Sequence, residues 1–265
     1  MFFSLPSWAV AILVFAVVGA ATASGYTIGR YLRKHEPSVR APFGVLQAAL
    51  LGVVGLILAF GLTLAVGRYE DRRAATVTEA NAIGTTYLRA QLIAEPARSR
   101  SLQLLREYTD QAIAVAGEVP GSRDIRRTTA AQGVLQRRLW RLAGQAIAVA
   151  PVASAPRLYV DSLNATIDAQ GARLSSLNNR VPGAVLALEV FGAAAAVGLL
   201  ALHISVLGRG LVAMIAAAVL VTLLLLVIFD LDRPARGLIE VPSTPLVAVR
   251  ASMALPPAAE GPSRP

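Results

Sequence analysis

The sequence predicts an all-α integral membrane protein with four transmembrane helices in two hairpins and an inserted extramembrane helical bundle. Of its 265 residues, 55% are apolar and only 15% are charged, which is more apolar than an average soluble domain. Four windows are also nearly free of ionisable groups. Each is long enough for a helix rising about 1.5 Å per residue to cross a hydrocarbon core of about 30 Å. The windows are Trp8 to Ile28, Ala41 to Gly67, Val181 to Leu207 and Gly210 to Phe229.

The first hairpin occupies residues 1–67, with spans at about 8–28 and 42–66 joined by a short polar loop. The first span has one feature of a signal peptide, because Ala21 to Ala23 has the small-x-small form of a cleavage site. A membrane span is favoured, however. No positive charge precedes the apolar run, and the run is longer than a typical signal core of about 7–15 residues.

Residues 68–180 hold most of the charged residues, so this domain lies in water. The helix of the second span is expected to continue into it, because no proline follows until Pro96 and a stripe at helical spacing persists. That stripe consists of Val77, Asn81, Gly84, Leu88 and Leu92.

Three further helices are predicted in this domain. Pro96 suits the first turn of one helix, and Asp124 is a plausible cap for the next. The last runs from about Pro156 to Arg180 and leads to the third span. The second of the three has an apolar face formed by Leu135, Leu139, Leu142 and Ala146.

The second hairpin occupies residues 181–229, with spans at about 182–206 and 210–229. Residues 230–265 form a C-terminal segment. Its end, PPAAEGPSRP, is rich in proline, glycine and serine and is predicted to be disordered.

Two ionisable side chains lie inside the third span. Glu189 is the only acidic residue within any span, and an intramembrane carboxylate is costly unless it faces protein or water. It is either functional or a protonated, hydrogen-bonded group at a helix contact, and the sequence leaves both readings open. His203 lies nearly four full turns further on and shares roughly the same helix face. A histidine at the membrane interface is favoured there over a proton relay.

Polar clusters flank the second and fourth spans. Arg68, Glu70 and Arg72 stand where the second span leaves the membrane, where a solvated surface contacting lipid headgroups is favoured over a functional site. Asp230 and Asp232 follow the fourth span. A turn is favoured there over a cation site, because two carboxylates are few for calcium.

Several function classes lack support in the sequence. No hydrolase, kinase or redox motif is present, so no enzymatic activity and no cofactor are expected. The chain has no cysteine, which excludes a thiolate metal site and a cysteine nucleophile. Its net charge of +9 comes mostly from arginines near span ends or interspersed with acids, so anionic lipid is expected as a partner rather than nucleic acid.

Two stretches together resemble the bacterial bestrophin-like membrane family. The first is LILAFGLTLAVGRYEDRRAATVTEANAIGTTYLRAQLIAEPAR, which begins in the second span. The second is LDRPARGLIEV, which resembles that family's Leu-Asp-x-Pro-Phe-x-Gly motif with Asp232, Pro234 and Gly237 in place and Ala235 instead of phenylalanine. The resemblance covers nearly the whole chain. It implies a bacterial inner membrane protein with the helical domain and both termini in the cytoplasm.

A more distant resemblance is to true bestrophins, which are pentameric anion or cation channels whose second span lines the pore. It implies a homo-oligomer that conducts inorganic ions, with Leu56 and Phe60 as the narrowest part of the pore. The two residues are four apart and therefore share a helix face. Gly52, one turn earlier, departs from a longer apolar neck. The alternative function is a non-conducting sensor or scaffold whose helical domain binds a partner or ligand.

Overall fold

A computed structural model describes residues 6–35, 40–208, 210–234 and 237–258 of the chain. Every regular element within these ranges is a helix, and the helices form two compact units. The membrane unit comprises Met1–Arg68 and Arg180–Ile239. The helical unit comprises Tyr69–Asn179 and Glu240–Pro265.

The helices are numbered in chain order. They are α1 (Ser7–His35), α2 (Arg40–Ala90), α3 (Ala97–Ala116), α4 (Arg123–Val149), α5 (Ser154–Asn178), α6 (Gly183–Leu207), α7 (Leu211–Leu231) and α8 (Thr244–Ser252). Helix α2 has 51 residues and continues from the membrane unit into the helical unit, as its uninterrupted stripe predicts.

Among the residues that the structure describes, four helical stretches are long and apolar enough to cross a membrane. They are Trp8–His35, Gln47–Ala90, Ser154–Leu207 and Leu211–Leu231. The predicted fold class, an all-α membrane protein with four spanning helices, is therefore confirmed.

Small residues bring α1 and α6 together in the membrane unit. A Cβ atom on Gly25 would overlap the backbone carbonyl of Gly198, so only glycine permits this approach. Further along, the Ser205 hydroxyl donates a hydrogen bond of 2.8 Å to the carbonyl oxygen of Tyr26. Close backbone approach and interhelical hydrogen bonds are the usual source of helix association in lipid, where burying apolar side chains gains little.

The helical unit has a conventional apolar core to which α2, α3, α4, α5 and α8 contribute. The predicted apolar face of α4 is confirmed, because all four of its residues are buried. The stripe that predicted the continuation of α2 does not face this core. Val77, Leu88 and Leu92 are exposed, and the buried face of α2 consists of Ala80, Ile83, Tyr87 and Ala90.

Helix α4 begins at Arg123, one residue before the residue predicted to cap it. The Ser122 side chain accepts a hydrogen bond of 3.2 Å from the backbone N–H of Ile125, so Ser122 is the cap and the prediction of Asp124 is wrong. Asp124 lies in the first turn instead, where its negative charge interacts favourably with the helix dipole.

Helix α8 was not predicted from the sequence. Leu246 and Met253 are fully buried in the core of the helical unit, and the Tyr87 hydroxyl donates a hydrogen bond of 3.0 Å to the carbonyl oxygen of Met253. The C-terminal segment is therefore part of this unit at least to Met253. Most of the end predicted to be disordered, residues 259–265, lies outside the described residues.

Candidate functional site

Helix α2 presents two different faces within the membrane unit. One face is buried and includes Val54, Leu58 and Ala65, which are 5%, 2% and 0% exposed. The other face carries Leu56 and Phe60, which are 57% and 62% exposed. The two residues named as pore candidates therefore lie together on a face of α2 that the membrane unit leaves uncovered.

Helix α6 meets the buried face of α2 through side chains and glycines. A Cβ atom on Gly192 of α6 would lie 3.5 Å from Cγ2 of Val54. On either side of this contact, the two ionisable residues of the span each approach a glycine of α2: Glu189 approaches Gly61, and His203 approaches Gly44. Both ionisable residues of α6 thus lie at its contact with α2.

Glu189 is the more buried of the two, with 1% of its surface exposed. Its carboxylate is packed so closely on Gly61 that a Cβ atom there would overlap it. Neither carboxylate oxygen has a hydrogen-bond partner among the described residues. Burying an ionised carboxylate without a partner is highly unfavourable, so this packing suits the neutral, protonated form.

His203 lies near the opposite end of α6 and is half-buried. A Cβ atom on Gly44 would be 3.4 Å from Cε1 of its ring. Its Nδ1 atom is buried and has no hydrogen-bond partner among the described residues. His203 is about 21 Å from Glu189 along the helix axis, since 14 residues separate them at about 1.5 Å per residue. The structure does not bring the two polar groups together.

The three residues predicted as a membrane-exit cluster have different environments. Arg72 belongs to the helical unit and is 1% exposed. Its Nη2 atom donates a hydrogen bond of 2.9 Å to the carbonyl oxygen of Asn179. Its Nε atom donates a hydrogen bond of 3.4 Å to the carbonyl oxygen of Ser176. It therefore satisfies carbonyl groups left free at the C-terminal end of α5. Glu70 is exposed and pairs with Arg73 at 3.6 Å, while Arg68 is the last residue of the membrane unit's first segment.

The segment after α7 folds back on the end of that helix. The Asp230 carboxylate accepts hydrogen bonds of 2.8 Å from the backbone N–H groups of Leu238 and Ile239. A Cβ atom on Gly237 would lie 2.7 Å from the same carboxylate, which explains the need for glycine. Asp230 therefore stabilises a turn by binding its backbone.

Asp232 and Pro234 of the same motif are also buried. Oδ1 of Asp232 accepts a hydrogen bond of 3.1 Å from the backbone N–H of Val181, just before α6. The motif thus connects the end of the fourth span to the start of the third. Ala235 and Arg236 lie outside the described residues.

A buried ion pair in the helical unit was missed by the sequence analysis. Arg173 of α5 pairs with Glu79 of α2 at 2.5 Å, with side-chain exposures of 4% and 0%. Arg173 also donates a hydrogen bond of 3.1 Å to the carbonyl oxygen of Ala112. Burial raises the pKa of Glu79, and the neighbouring positive charge of Arg173 opposes that rise. The sequence does contain one indication of this burial. Arg173 lies at helical spacing from Thr166, Gln170 and Leu177, which are all buried on α5.

Comparison with known proteins identifies the family of this chain. The sequence matches the bestrophin-like domain over residues 10–246. The chain belongs to the bestrophin-like family. The family expected from the two sequence motifs is therefore confirmed, and this bestrophin-like chain is a multi-pass membrane protein. No curated protein matches it.

Solved structures of a bacterial bestrophin homolog from Klebsiella pneumoniae share the fold. A point-mutant crystal structure has a TM-score of 0.70 at 13% identity, covering 91% of this chain and 97% of the other. A second crystal structure, phased with zinc, has a TM-score of 0.67 at 14% identity and the same coverage. The structural similarity shows that the bestrophin-like chain has the same fold. At identity this low, it does not assign roles to individual residues.

Proposed function

We propose that this bestrophin-like protein forms a homo-oligomeric ion channel whose pore is lined by α2. Leu56 and Phe60 form the narrowest part of that pore. The observation that carries the proposal is the uncovered face of α2, on which both apolar side chains are more than half exposed although the helix is packed on its opposite face.

A ring of such side chains fits a hydrophobic constriction, which gates by excluding water rather than by charge. Gly52, one turn before Leu56, contributes no side chain. The constriction is therefore limited to two layers, one of leucine and one of phenylalanine. Thr63, one turn after Phe60, adds an exposed hydroxyl group to the same face.

The proposed assembly is a ring of subunits in a lipid bilayer, with five copies by resemblance to bestrophins. The exposed apolar side chains of α7 suit contact with lipid tails or with a neighbouring copy. They include Leu211, Val212, Ile215, Leu220 and Leu223.

The proposed location is the bacterial inner membrane, with the helical unit in the cytoplasm. Because the chain has no cysteine, one introduced at exposed Gln103 would be the only thiol. We expect Gln103→Cys to react with a membrane-impermeant maleimide only after the inner membrane is permeabilised. Labelling in intact spheroplasts would place the helical unit outside.

Ion flux through reconstituted protein tests the channel. We expect Leu56→Ala/Phe60→Ala to raise flux from proteoliposomes, because it widens and wets the constriction. Leu220→Ala/Leu223→Ala is the matched control, since it removes two exposed apolar side chains from α7 instead. It should leave flux at the wild-type level.

Measurable flux that is equal in the wild type and the α2 double variant would contradict the constriction at Leu56 and Phe60. The channel itself would be contradicted if both proteins are silent in bilayers and the purified oligomer has no axial path.

A second candidate function is a non-conducting sensor whose helical unit binds an anionic ligand. It is favoured by a groove of about 340 Å³ between α3 and α4 to which three arginines, Arg100, Arg138 and Arg141, and one acidic residue, Glu107, contribute. These three arginines form no ion pair with any described residue. Calorimetric titration of the purified oligomer with inorganic pyrophosphate tests this candidate. Binding should be lost in Arg138→Gln/Arg141→Gln and kept in Arg123→Gln, and no binding to the wild type would reject it.

A further inference from the structure

The membrane unit contains an ionisable group that the proposed pore does not use. Glu189 of α6 is 1% exposed, and its carboxylate contacts Gly61 of α2. Gly61 directly follows Phe60. The carboxylate therefore lies against the backbone of the helix that carries the proposed constriction.

No charged side chain from the surrounding helices compensates Glu189. Within the described spans, α1 has no charged residue between Trp8 and Gly25, α2 has none between Gly44 and Gly67, and α7 has none between Leu211 and Phe229. His203 is the other titratable group on α6, about four turns away.

The nearest charged residues along the neighbouring helices lie at the span ends. Arg68 is about 10 Å beyond Gly61 along α2, at about 1.5 Å per residue. Asp230 ends the apolar part of α7, and its carboxylate is bound by the backbone of Leu238 and Ile239.

The two protonation states of Glu189 therefore require different packing. The neutral acid fits against Gly61 with few polar contacts. The ionised form needs water or another hydrogen-bond donor, because an unpaired carboxylate in a low-dielectric environment is strongly destabilised. Admitting water between the carboxylate and Gly61 requires α2 and α6 to separate, because the two are so close that even a Cβ atom on Gly61 would overlap the carboxylate.

We propose that Glu189, packed against Gly61, is a proton-binding site within the membrane, and that loss of its proton moves α2 and Phe60 away from the closed position. The part of this inference that concerns Phe60 rests on the proposed channel function. The proton-binding site itself does not. Protonation holds α2 against α6, and deprotonation favours the wider pore.

Flux measured in proteoliposomes across a pH series tests the effect on α2. Wild-type flux should rise several-fold as the pH increases, since a single proton shifts the equilibrium of each subunit by up to about tenfold per pH unit. Glu189→Gln keeps the shape of the neutral acid and should remain at the low-pH level throughout. His203→Gln is the matched control, because it removes the other intramembrane titratable group, and it should keep the wild-type profile.

Infrared difference spectroscopy tests protonation independently of conduction. At low pH, wild-type protein minus Glu189→Gln should show the C=O band of a protonated carboxyl group, and that band should disappear as the pH is raised. Absence of the band at every pH would overturn the proton-binding site.

The two measurements separate the two proposals. A titrating band in protein that conducts at no pH would leave the proton-binding site standing and reject the channel. Equal pH profiles of flux in the wild type and Glu189→Gln would overturn the coupling to α2 while leaving the channel standing.

Discussion

The two units of the molecule each bury a glutamate, in opposite settings. In the helical unit, Glu79 forms an ion pair with Arg173, and the same arginine binds a backbone carbonyl of α3. In the membrane unit, Glu189 has no partner among the described residues and contacts a glycine. The difference indicates that the buried charge of the helical unit serves its stability. The buried acid of the membrane unit has no such partner among the described residues, which is the basis of the proposed proton-binding site.

The two units also differ in the side chains through which their helices pack. The helical unit has a core of leucine, isoleucine and tyrosine side chains, whereas the membrane unit brings α1 and α6 together at Gly25 and Gly198. Apolar burial stabilises a domain in water but gives little advantage in lipid, so small residues that allow close contact replace large ones.

Breaking the buried ion pair should have the largest effect on stability. Arg173→Ala leaves Glu79 buried without a counter-charge, which typically costs about 3–5 kcal/mol. The exposed pair of Arg89 with Asp161 is the matched control, and Arg89→Ala should cost about 0–1 kcal/mol. Denaturation can be followed by Trp140 fluorescence in a Trp8→Phe background, since these are the only two tryptophans. Equal losses in the two variants would remove the contrast between buried and exposed charge.

The pH dependence of an Arg173 variant sharpens the same comparison. Burial raises the pKa of Glu79, and Arg173→Met removes the charge that opposes the rise. A carboxyl group with a raised folded-state pKa contributes stability that is fully present below its unfolded pKa and lost as the pH rises through the folded value. The variant should therefore be least stable at a pH above the raised pKa and recover as the pH falls through it toward the unfolded pKa. In Arg173→Met/Glu79→Gln this recovery should be absent, and its persistence would assign it to another group.

Substituting a glycine at the α1–α6 contact tests the packing of the membrane unit. Gly25→Val places side-chain atoms against the backbone of Gly198, and overpacking of this kind typically costs about 1–3 kcal/mol. Gly19→Val, on the same helix, is the control because nothing lies within 4 Å of the added Cβ position. Thermal stability in detergent, measured by size-exclusion chromatography, should fall only for the first variant. A similar fall for both would indicate a general loss of helix propensity or folding.

Removing the hydroxyl that anchors α8 should have a smaller effect. Tyr87→Phe loses the hydrogen bond to the carbonyl oxygen of Met253 and the hydrogen bond of 2.7 Å that its hydroxyl accepts from Nη2 of Arg106, and a typical hydrogen bond contributes about 1 kcal/mol. The loss should appear as faster proteolysis after α8, with little change in denaturation of the remaining helices. Unchanged proteolysis in Tyr87→Phe would mean that apolar contacts of Leu246 and Met253 alone hold α8.

The spans and the helical class could be predicted from the sequence because both depend on local patterns. Charge-free windows of sufficient length identify membrane spans, Pro96 indicates the start of α3, and helical spacing identifies α4 and α5. The exposed stripe of α2 shows the limit of this reasoning. Val77, Leu88 and Leu92 have the right spacing for a helix, but periodicity does not say which face meets the rest of the protein.

The remaining features depend on contacts between distant parts of the chain. Glu189 was identifiable as an isolated acid, whereas its position against Gly61 required the arrangement of α2 and α6. The pairing of Glu79 with Arg173 joins residues 94 positions apart, and the burial of α8 depends on a core formed by other helices. Local pattern carries no information about such partners.

The central claim is that the uncovered face of α2 lines a pore, and the structure of the purified oligomer in lipid tests it most directly. The account predicts a closed ring of subunits, five by resemblance to bestrophins, with the Phe60 and Leu56 side chains facing a central axis. The claim would be contradicted if Phe60 contacts lipid at the outside of the assembly. A monomer, or a simple dimer with no central pore, would also contradict it.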